Sequence, residues 1–476
     1  DPREQWMLIN GERVDALDGR TFTVSDPATG EMVATLPFGG IEDVRAAVDS
    51  AETAQPGWAG LSPRNRAQVL LSAARLIRGR VPNLARTLTR EQGKPLREAS
   101  DEIRGTANVF EYYAGLGSAF RDEFHRIAPD LDAEVLRQPI GVCAAVIPWN
   151  MPALLFAWKT APALLCGNSL VLKPASTAPL TPLALAGILH EAGLHPGLLN
   201  VVTGSGDVVG EALVRERRVR KVSFTGSTGT GRRVLALAAE EVKRVTLELG
   251  GSDPMIVCED ADLGRAVAGA VAGRFYNCGQ VCTAVKRLFV HEAIADEFTR
   301  RLVDGVGRLT LGHGLEPATK MGPLNSIEAL ERIERLVDET RERESGRVIV
   351  GGSRTGEAGN FYEPTVVTDV VEESRLLSEE VFGPVIPLVR FGDLNEAILR
   401  ANRSPFGLGA SIWTRNPSYT REASRRLEAG IVWVNLHLKV PPEVPFGGMK
   451  QSGLGRENGV QALEAWSETK TVLLRD

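Results

Sequence analysis

The chain has 476 residues, 43% of them hydrophobic and 24% charged, with a formal net charge of -5. That length exceeds one ordinary domain, the apolar fraction suffices for two or more cores, and the mixed, slightly acidic charge lacks the cationic excess that would point to a nucleic-acid partner. Apolar runs such as 144–147 and 154–157 are broken by Pro or Lys, far short of the roughly 20 residues of a membrane span, so no membrane partner is expected.

The sequence starts on the charged string DPREQW, with no apolar core before a small-residue cleavage site, so no secretory signal is read here. Five cysteines, at 143, 166, 258, 278 and 282, suit free thiols in a reducing compartment better than a disulfide framework. The cytoplasm is the expected location. The six histidines are scattered, and Cys278 with Cys282 lacks a second pair to complete a zinc site, so no metal is expected.

Residues 6–38 read as short strands around turns, WMLINGE and then RTFTV and EMVATLPF across DPATGE, which predicts an antiparallel hairpin. From 41 to about 117 the pattern turns helical, with Ser62 and Pro63 as N-cap and first-turn residue ahead of RAQVLLSAARLI. From Gly141 the apolar runs GVCAAVIP, SLVLKP, LLNVVTG, RKVSF and RVTLEL alternate with helices starting near 153, 179, 207 and 228. That alternation predicts a parallel sheet with βαβ crossovers and a nucleotide-binding architecture. A second α/β stretch begins after Gly250 and Gly251 with MIVC, a helix over 262–275 and the strand KRLFV, and runs to about Val434. The strand candidates AEVLRQP and KTVLLR fall outside both alternations. Such unpaired edges are expected to meet another chain.

Two strings carry chemistry. FYNCGQVCTA places Cys282 in a small-residue loop between a helix and a strand, where a ligand can reach it. Cys143, Cys166 and Cys258 sit in apolar runs and read as buried small hydrophobes. VTLELGG puts Glu248 at an apolar strand end, a costly place for a carboxylate without a role or a partner; a structural ion pair there is the plain alternative. Glu248 could take a proton from the Cys282 thiol or from water. FTGSTGTG follows the strand RKVSF, and Ser227 would cap a helix whose free N–H groups suit a pyrophosphate. GSGDVVG, at 204–210, has the wrong glycine spacing for a dinucleotide fingerprint and reads as a strand-to-helix turn containing Gly206. Lys286 and Arg287 read as strand-edge residues rather than substrate ligands.

The strings PWN (148–150), KPAS (173–176), FTGSTGTG (224–231), LELGG (247–251), NCGQVC (277–282), EEVFGP (379–384) and PFGGMKQSG (445–453) occur together and in order, and with them the chain resembles the aldehyde dehydrogenase superfamily over essentially its whole length. The resemblance implies an α/β fold with a Rossmann-like cofactor domain (1–118 and 140–250), an α/β catalytic domain (251–448) and a small β oligomerisation element (119–139 and 449–476), assembled as a homodimer or a dimer-of-dimers tetramer. It implies oxidation of an aldehyde to an acid with NAD or NADP, Cys282 as nucleophile, Glu248 as the base for the hydrolytic water, and Asn150 as donor to the oxyanion. An Asn150 that only caps the following helix is the plain alternative.

By the same resemblance Pro148, Trp149, Lys173, Ser176, Gly206, Phe224, Gly226, Ser227, Leu249, Glu380 and Phe382 form the cofactor site. Lys173 and Ser176 would contact the adenosine ribose, and Glu380 and Phe382 the nicotinamide end. Many NAD-preferring relatives carry a Glu where Ser176 stands, so NADP is expected to be accepted. Relatives that oxidise succinic semialdehyde carry arginines at the places of Trp158 and Tyr276. Met151, Trp158, Tyr276, Val281, Thr283 and Phe446 are therefore expected to form an apolar pocket for an uncharged aldehyde. The alternatives are a CoA-acylating aldehyde dehydrogenase, against which the hydrolytic base Glu248 argues, and a non-catalytic structural or ligand-binding oligomer of the same fold, against which the complete set of Cys282, Glu248 and Asn150 argues.

Overall fold

The structure is a computed structural model, and it describes residues 5–356 and 358–475. β1 (Met7–Ile9) and β2 (Glu12–Val14) form a hairpin, turned by Asn10 and Gly11 at φ +54° and +76°, the left-handed pair that tight hairpins favour. A second hairpin joins β3 (Thr21–Ser25) to β4 (Met32–Pro37). Four helices follow: α1 (Ile41–Ala59), α2 (Pro63–Gly79), α3 (Val81–Gln92) and α4 (Leu96–Gly115). Ser62 caps α2, its Oγ accepting from Asn65 N at 3.2 Å, as its place before Pro63 predicts. β5 (Glu123–Ala128) and β6 (Leu131–Pro139) come next.

The alternating stretch then runs β7 (Val142–Val146), α5 (Pro152–Leu165), β8 (Ser169–Lys173), α6 (Leu180–Glu191), β9 (Leu199–Val201), α7 (Glu211–Arg215), β10 (Lys221–Thr225), α8 (Thr228–Ala239) and β11 (Arg244–Glu248). Residues 206–210 form a wide helical turn running into α7, in keeping with the strand-to-helix turn read there. β12 (Asp253–Val257), α9 (Leu263–Phe275), β13 (Val285–His291), α10 (Glu292–Val306), α11 (Ile327–Glu342), β14 (Arg347–Val350), β15 (Thr365–Thr368), α12 (Arg375–Ser378), β16 (Val385–Phe391) and α13 (Leu394–Asn402) open the second α/β stretch. It closes with β17 (Phe406–Gly407), β18 (Gly409–Trp413), α14 (Pro417–Arg426) and β19 (Ile431–Val434), and the chain ends through β20 (Met449–Lys450), β21 (Gly453–Leu454), α15 (Gln461–Ala465) and β22 (Ser467–Arg475).

The first large sheet has the order β2-β1-β9-β8-β7-β10-β11-β21, parallel from β9 to β11. The chain winds outward from β7 in one direction and then the other, so the sheet has a switch point between β7 and β10. A ligand crevice is expected beyond the carboxyl ends of those two strands. The second sheet, β14-β15-β16-β13-β12-β18-β19, is parallel except at β14. Lys286 and Arg287 lie on β13 in the middle of it, both buried, and not on an edge. They open the KRLFV run, and a charged pair ahead of its apolar residues looks like a strand edge.

AEVLRQP and KTVLLR, read as lacking partners in either domain, pair with each other: β22 lies antiparallel to β6 from Ser467 opposite Pro139 to Arg475 opposite Leu131, and β5 takes the other side of β6. The boundary placed at residue 449 does not mark a structural break. β21 pairs with β11, and Ala462, Leu463 and Trp466 are buried in the same core as α2, α4 and α5. Only β22 of that C-terminal segment belongs to the small sheet.

Candidate active site

The carboxyl ends of β7, β10 and β11 open on one cavity of about 650 Å³, lined by Pro148, Trp149, Asn150, Thr225, Gly226, Ser227, Glu248 and Leu249. Cys282 enters it from the turn between α9 and β13, alongside Val281 and Thr283. The two glycines after Glu248 allow this closeness. A Cβ at Gly250 would strike the Glu380 carboxylate, and one at Gly251 would lie 2.8 Å from the Cys282 carbonyl oxygen.

Cys282 is partly exposed, whereas Cys143, Cys166, Cys258 and Cys278 are buried. Its loop is shaped by three consecutive left-handed residues, Asn277, Cys278 and Gly279, at φ +50°, +56° and +73°. Lys286, fully buried behind the loop, donates to the carbonyls of Val281 at 3.0 Å and of Cys282, and lies 3.4 Å from the Glu380 carboxylate. Burial pushes the Cys282 thiol well above its usual range, Glu248 adds to the rise, and the Lys286 ammonium opposes it.

Glu248 is buried at the end of β11, where its main-chain carbonyl accepts from Gly226 N at 3.1 Å. Its Oε1 has no hydrogen-bond partner. Burial pushes its carboxyl up to about 8, against the lowering by the Lys159 ammonium and the Cys282 thiol. A buried carboxyl with an unused oxygen, aimed into a cavity that holds a thiol, is poorly explained as a structural ion pair. The ion pair nearby belongs instead to Lys159, which donates to Glu457 Oε1 at 2.7 Å and Ser223 Oγ at 2.9 Å. Sequence reasoning passed over this network, although a lone Lys in the apolar run ALLFAWKTAPALL was a usable signal.

Asn150 does not cap the helix after it. Its side-chain Nδ2 donates to Gln280 O at 3.0 Å, and the α5 N-cap position is Met151, which makes no side-chain capping bond. Asn150 O accepts from Lys94 Nζ at 2.7 Å and from Asn277 Nδ2 at 3.0 Å. Asn277 in turn accepts from Gln92 Nε2 at 3.0 Å. None of Lys94, Gln92 or Asn277 stood out in the sequence, because their partners lie on other segments.

Ser227 caps α8, its Oγ accepting from Thr230 N at 3.2 Å, and lines the cavity itself, which brings the start of α8 to the cavity wall. The buried hydroxyls of Thr225 and Thr228 have no partner. Orphaned donors beside a capped helix start, at the sheet's switch point, fit a dinucleotide. Trp149 and Phe382 meet edge to face at 5.7 Å on the cavity wall, and Glu380 Oε1 accepts from Gly251 N at 3.1 Å. Lys173, Ser176, Gly206 and Phe224 lie outside the cavity lining. Lys173 is buried at the end of β8, donating to Pro174 O, and its ammonium is pushed down to about 8 by burial. Ser176 Oγ donates to Gly204 O at 3.0 Å.

On the other side of Cys282, Met151, Leu154, Trp158, Tyr276, Leu438, Val440 and Phe446 line the cavity. Trp158 packs against Phe446 with ring centres 5.2 Å apart, and the Tyr276 hydroxyl donates to Glu98 O at 3.5 Å. The charged residues of the lining besides Glu248 and Glu380 are Asp101, Glu328 and Arg332. Among the described residues no group of His, Cys, Asp and Glu is placed to hold a metal ion, and no helix is long and apolar enough to cross a membrane.

A doubly wound sheet whose switch-point crevice holds a reachable cysteine and a buried carboxyl fits the class of nucleotide-dependent enzymes. The family model for the aldehyde dehydrogenase family matches residues 14–472, and the chain belongs to that family. It is 41% identical over 467 residues to the NADP+-dependent succinate-semialdehyde dehydrogenase GabD of Escherichia coli (strain K12), covering 98% of this chain and 97% of that one. Among solved structures it is similar to an NADP-dependent enzyme of E. coli (40% identity, TM-score 0.98, 99% and 98% of the two chains). It is also similar to an NAD-dependent aldehyde dehydrogenase of Sinorhizobium meliloti (38% identity, TM-score 0.97, 100% and 96%). The chain is thus an enzyme that oxidises an aldehyde with NAD or NADP.

Proposed function

We propose that this enzyme oxidises an uncharged aldehyde to the free acid through a thioester on Cys282. The observation that carries the reading is the convergence of Cys282, Glu248 and Asn150 on one cavity. The Cys282 sulfur adds to the aldehyde carbon as its proton passes to solvent, which leaves the Glu248 carboxylate free for the later step. The oxyanion is met by the Asn150 amide and the Cys282 main-chain N–H. Bound NAD or NADP supplies the hydride acceptor. Loss of hydride leaves the acyl group on sulfur. Glu248 then takes a proton from water as its oxygen attacks that carbon, and acid departs with Cys282 restored.

The same reading gives the α8 start at Ser227 to the pyrophosphate, Lys173 and Ser176 to the adenosine ribose, and Glu380 and Phe382 to the nicotinamide end. Ser176 brings no negative charge to that ribose, which supports acceptance of NADP. It assigns the first sheet and its helices to cofactor binding and the second to catalysis. GabD is named for succinate semialdehyde, yet a distal carboxylate here would meet Trp158, Tyr276 and Phe446, with Asp101 as the charge on that side. Arg332, the one cation of the lining among the described residues, is held by an ion pair with Glu379 at 3.6 Å. An uncharged aldehyde therefore fits better.

Exposed Phe124, Ile127, Leu473 and Leu474 on the β5-β6-β22 sheet support its reading as an oligomerisation element, in a homodimer or dimer-of-dimers tetramer. The odd set of free cysteines supports a cytoplasmic location. Product analysis with aldehyde and oxidised cofactor, with and without CoA, tests the hydrolytic reading. Free acid is expected in both cases; acyl-CoA as the main product overturns it. A panel of aldehydes tests the pocket: a dicarboxylic semialdehyde with by far the highest kcat/KM contradicts it.

A further inference from the structure

Lys94 and Glu102 form an ion pair with no exposed side-chain surface on either residue, yet neither lines the cavity. Burying two charges costs several kcal/mol per ion, and an apolar pair of similar volume is often as stable or more so. Stability alone is therefore a poor reason for this pair. Its remaining hydrogen-bonding capacity goes to a single segment. Lys94 Nζ donates to Asn150 O at 2.7 Å and lies 3.3 Å from Met151 Sδ. Glu102 Oε1 accepts from Ala153 N at 2.9 Å and Leu154 N at 3.2 Å, in the first turn of α5.

α5 begins at Pro152 without a side-chain cap of its own, so Glu102 on α4 supplies the anion that its N-terminus attracts. The pair thus holds Asn150 from before and behind: the ammonium fixes its carbonyl and the carboxylate fixes the helix that starts two residues later. With the peptide clamped and Nδ2 bonded to Gln280 O, one amide N–H of Asn150 remains for the cavity.

We propose that Lys94 and Glu102 are positioning residues for the oxidation, a buried clamp that aims the Asn150 amide at the oxyanion. This rests on the proposed role of Asn150. A misplacement of about 1 Å at such a donor costs on the order of 10²-fold in rate, so a clamp on its main chain matters even though it touches no substrate.

The test is a double-mutant cycle on the whole enzyme. Lys94→Met is expected to lower kcat by about 10- to 100-fold, leave the cofactor KM unchanged, and leave the rate of Cys282 alkylation by iodoacetamide unchanged. In an Asn150→Ala background the same substitution is expected to lower kcat less than about twofold further, because the group it aims is gone. The charge-free Lys94→Met/Glu102→Gln variant covers the case in which Lys94→Met leaves Glu102 unpaired and fails to fold. It keeps an acceptor for the α5 N–H groups, and it too is expected to lose kcat only when Asn150 is present. Full kcat in a folded variant, or an equal fold-loss in both backgrounds, overturns the clamp. An Asn150→Ala enzyme with undiminished kcat overturns the underlying oxyanion reading instead.

Discussion

Replacing Glu248 with Gln tests the base at its most exposed point, because the side chain keeps its shape and loses only the ability to take a proton. Burial pushes this carboxyl up to about 8, so about a tenth of the molecules carry the carboxylate at pH 7 and about half at pH 8. The base is the deprotonated form, so acid release should rise as pH climbs through about 8 and fall below it. A positioned general base contributes roughly 10² to 10⁴ in rate, and Glu248→Gln should lose a factor in that range from steady-state turnover. The first turnover should survive, since the thioester forms before the hydrolytic water is needed. Stopped-flow absorbance of the reduced cofactor should therefore show a burst close to one per active site, followed by a slow phase without the rise near pH 8. A steady-state rate within threefold of the parent, or a variant that keeps that rise, refutes the assignment. Loss of the burst together with the slow phase would place Glu248 on the thiol and not on the water.

Three further outcomes follow from the same geometry. Ser176→Glu puts a carboxylate beside the expected 2′-phosphate, and like-charge contact costs several kcal/mol, so kcat/KM for NADP should fall at least about tenfold relative to NAD; an unchanged ratio contradicts the ribose assignment. Trp158→Ala removes a ring packed on Phe446, costs about 3–5 kcal/mol by analogy with buried aromatics, and should shift kcat/KM toward bulkier aldehydes; an unchanged preference means the ring does not shape the tunnel. Leu473→Lys charges an exposed apolar position on β22 and should drive the assembly toward smaller species in sedimentation velocity, whereas unaltered sedimentation argues against that edge as the interface.

Much of the fold was legible because its signals are local. The runs GVCAAVIP, SLVLKP and RKVSF became neighbouring parallel strands β7, β8 and β10, and Ser62 and Ser227 cap helices where their hydroxyls precede them. Cys282 and Glu248 were found by chemistry, one as a thiol in a small-residue loop and the other as a charge on an apolar strand. The illegible parts depend on meetings between distant segments. β22 finds β6 more than 300 positions away, so both looked unpaired. Glu102 lies on the buried face of α4 with Ala99 and Ile103; its burial follows from that periodicity, but its bond to the start of α5 does not. Lys286 followed suit: a cation before an apolar run looks like a strand edge, and only the folded chain places it in mid-sheet behind the Cys282 loop.

The most direct measurement is the mass of the enzyme after mixing Glu248→Gln with oxidised cofactor and an aldehyde, followed by peptide mapping. A stoichiometric acyl adduct on the peptide that contains Cys282, absent in a Cys282→Ser control that makes no acid, is the predicted result. An adduct on another residue, or a Cys282→Ser protein that still forms acid at the parent rate, contradicts the account.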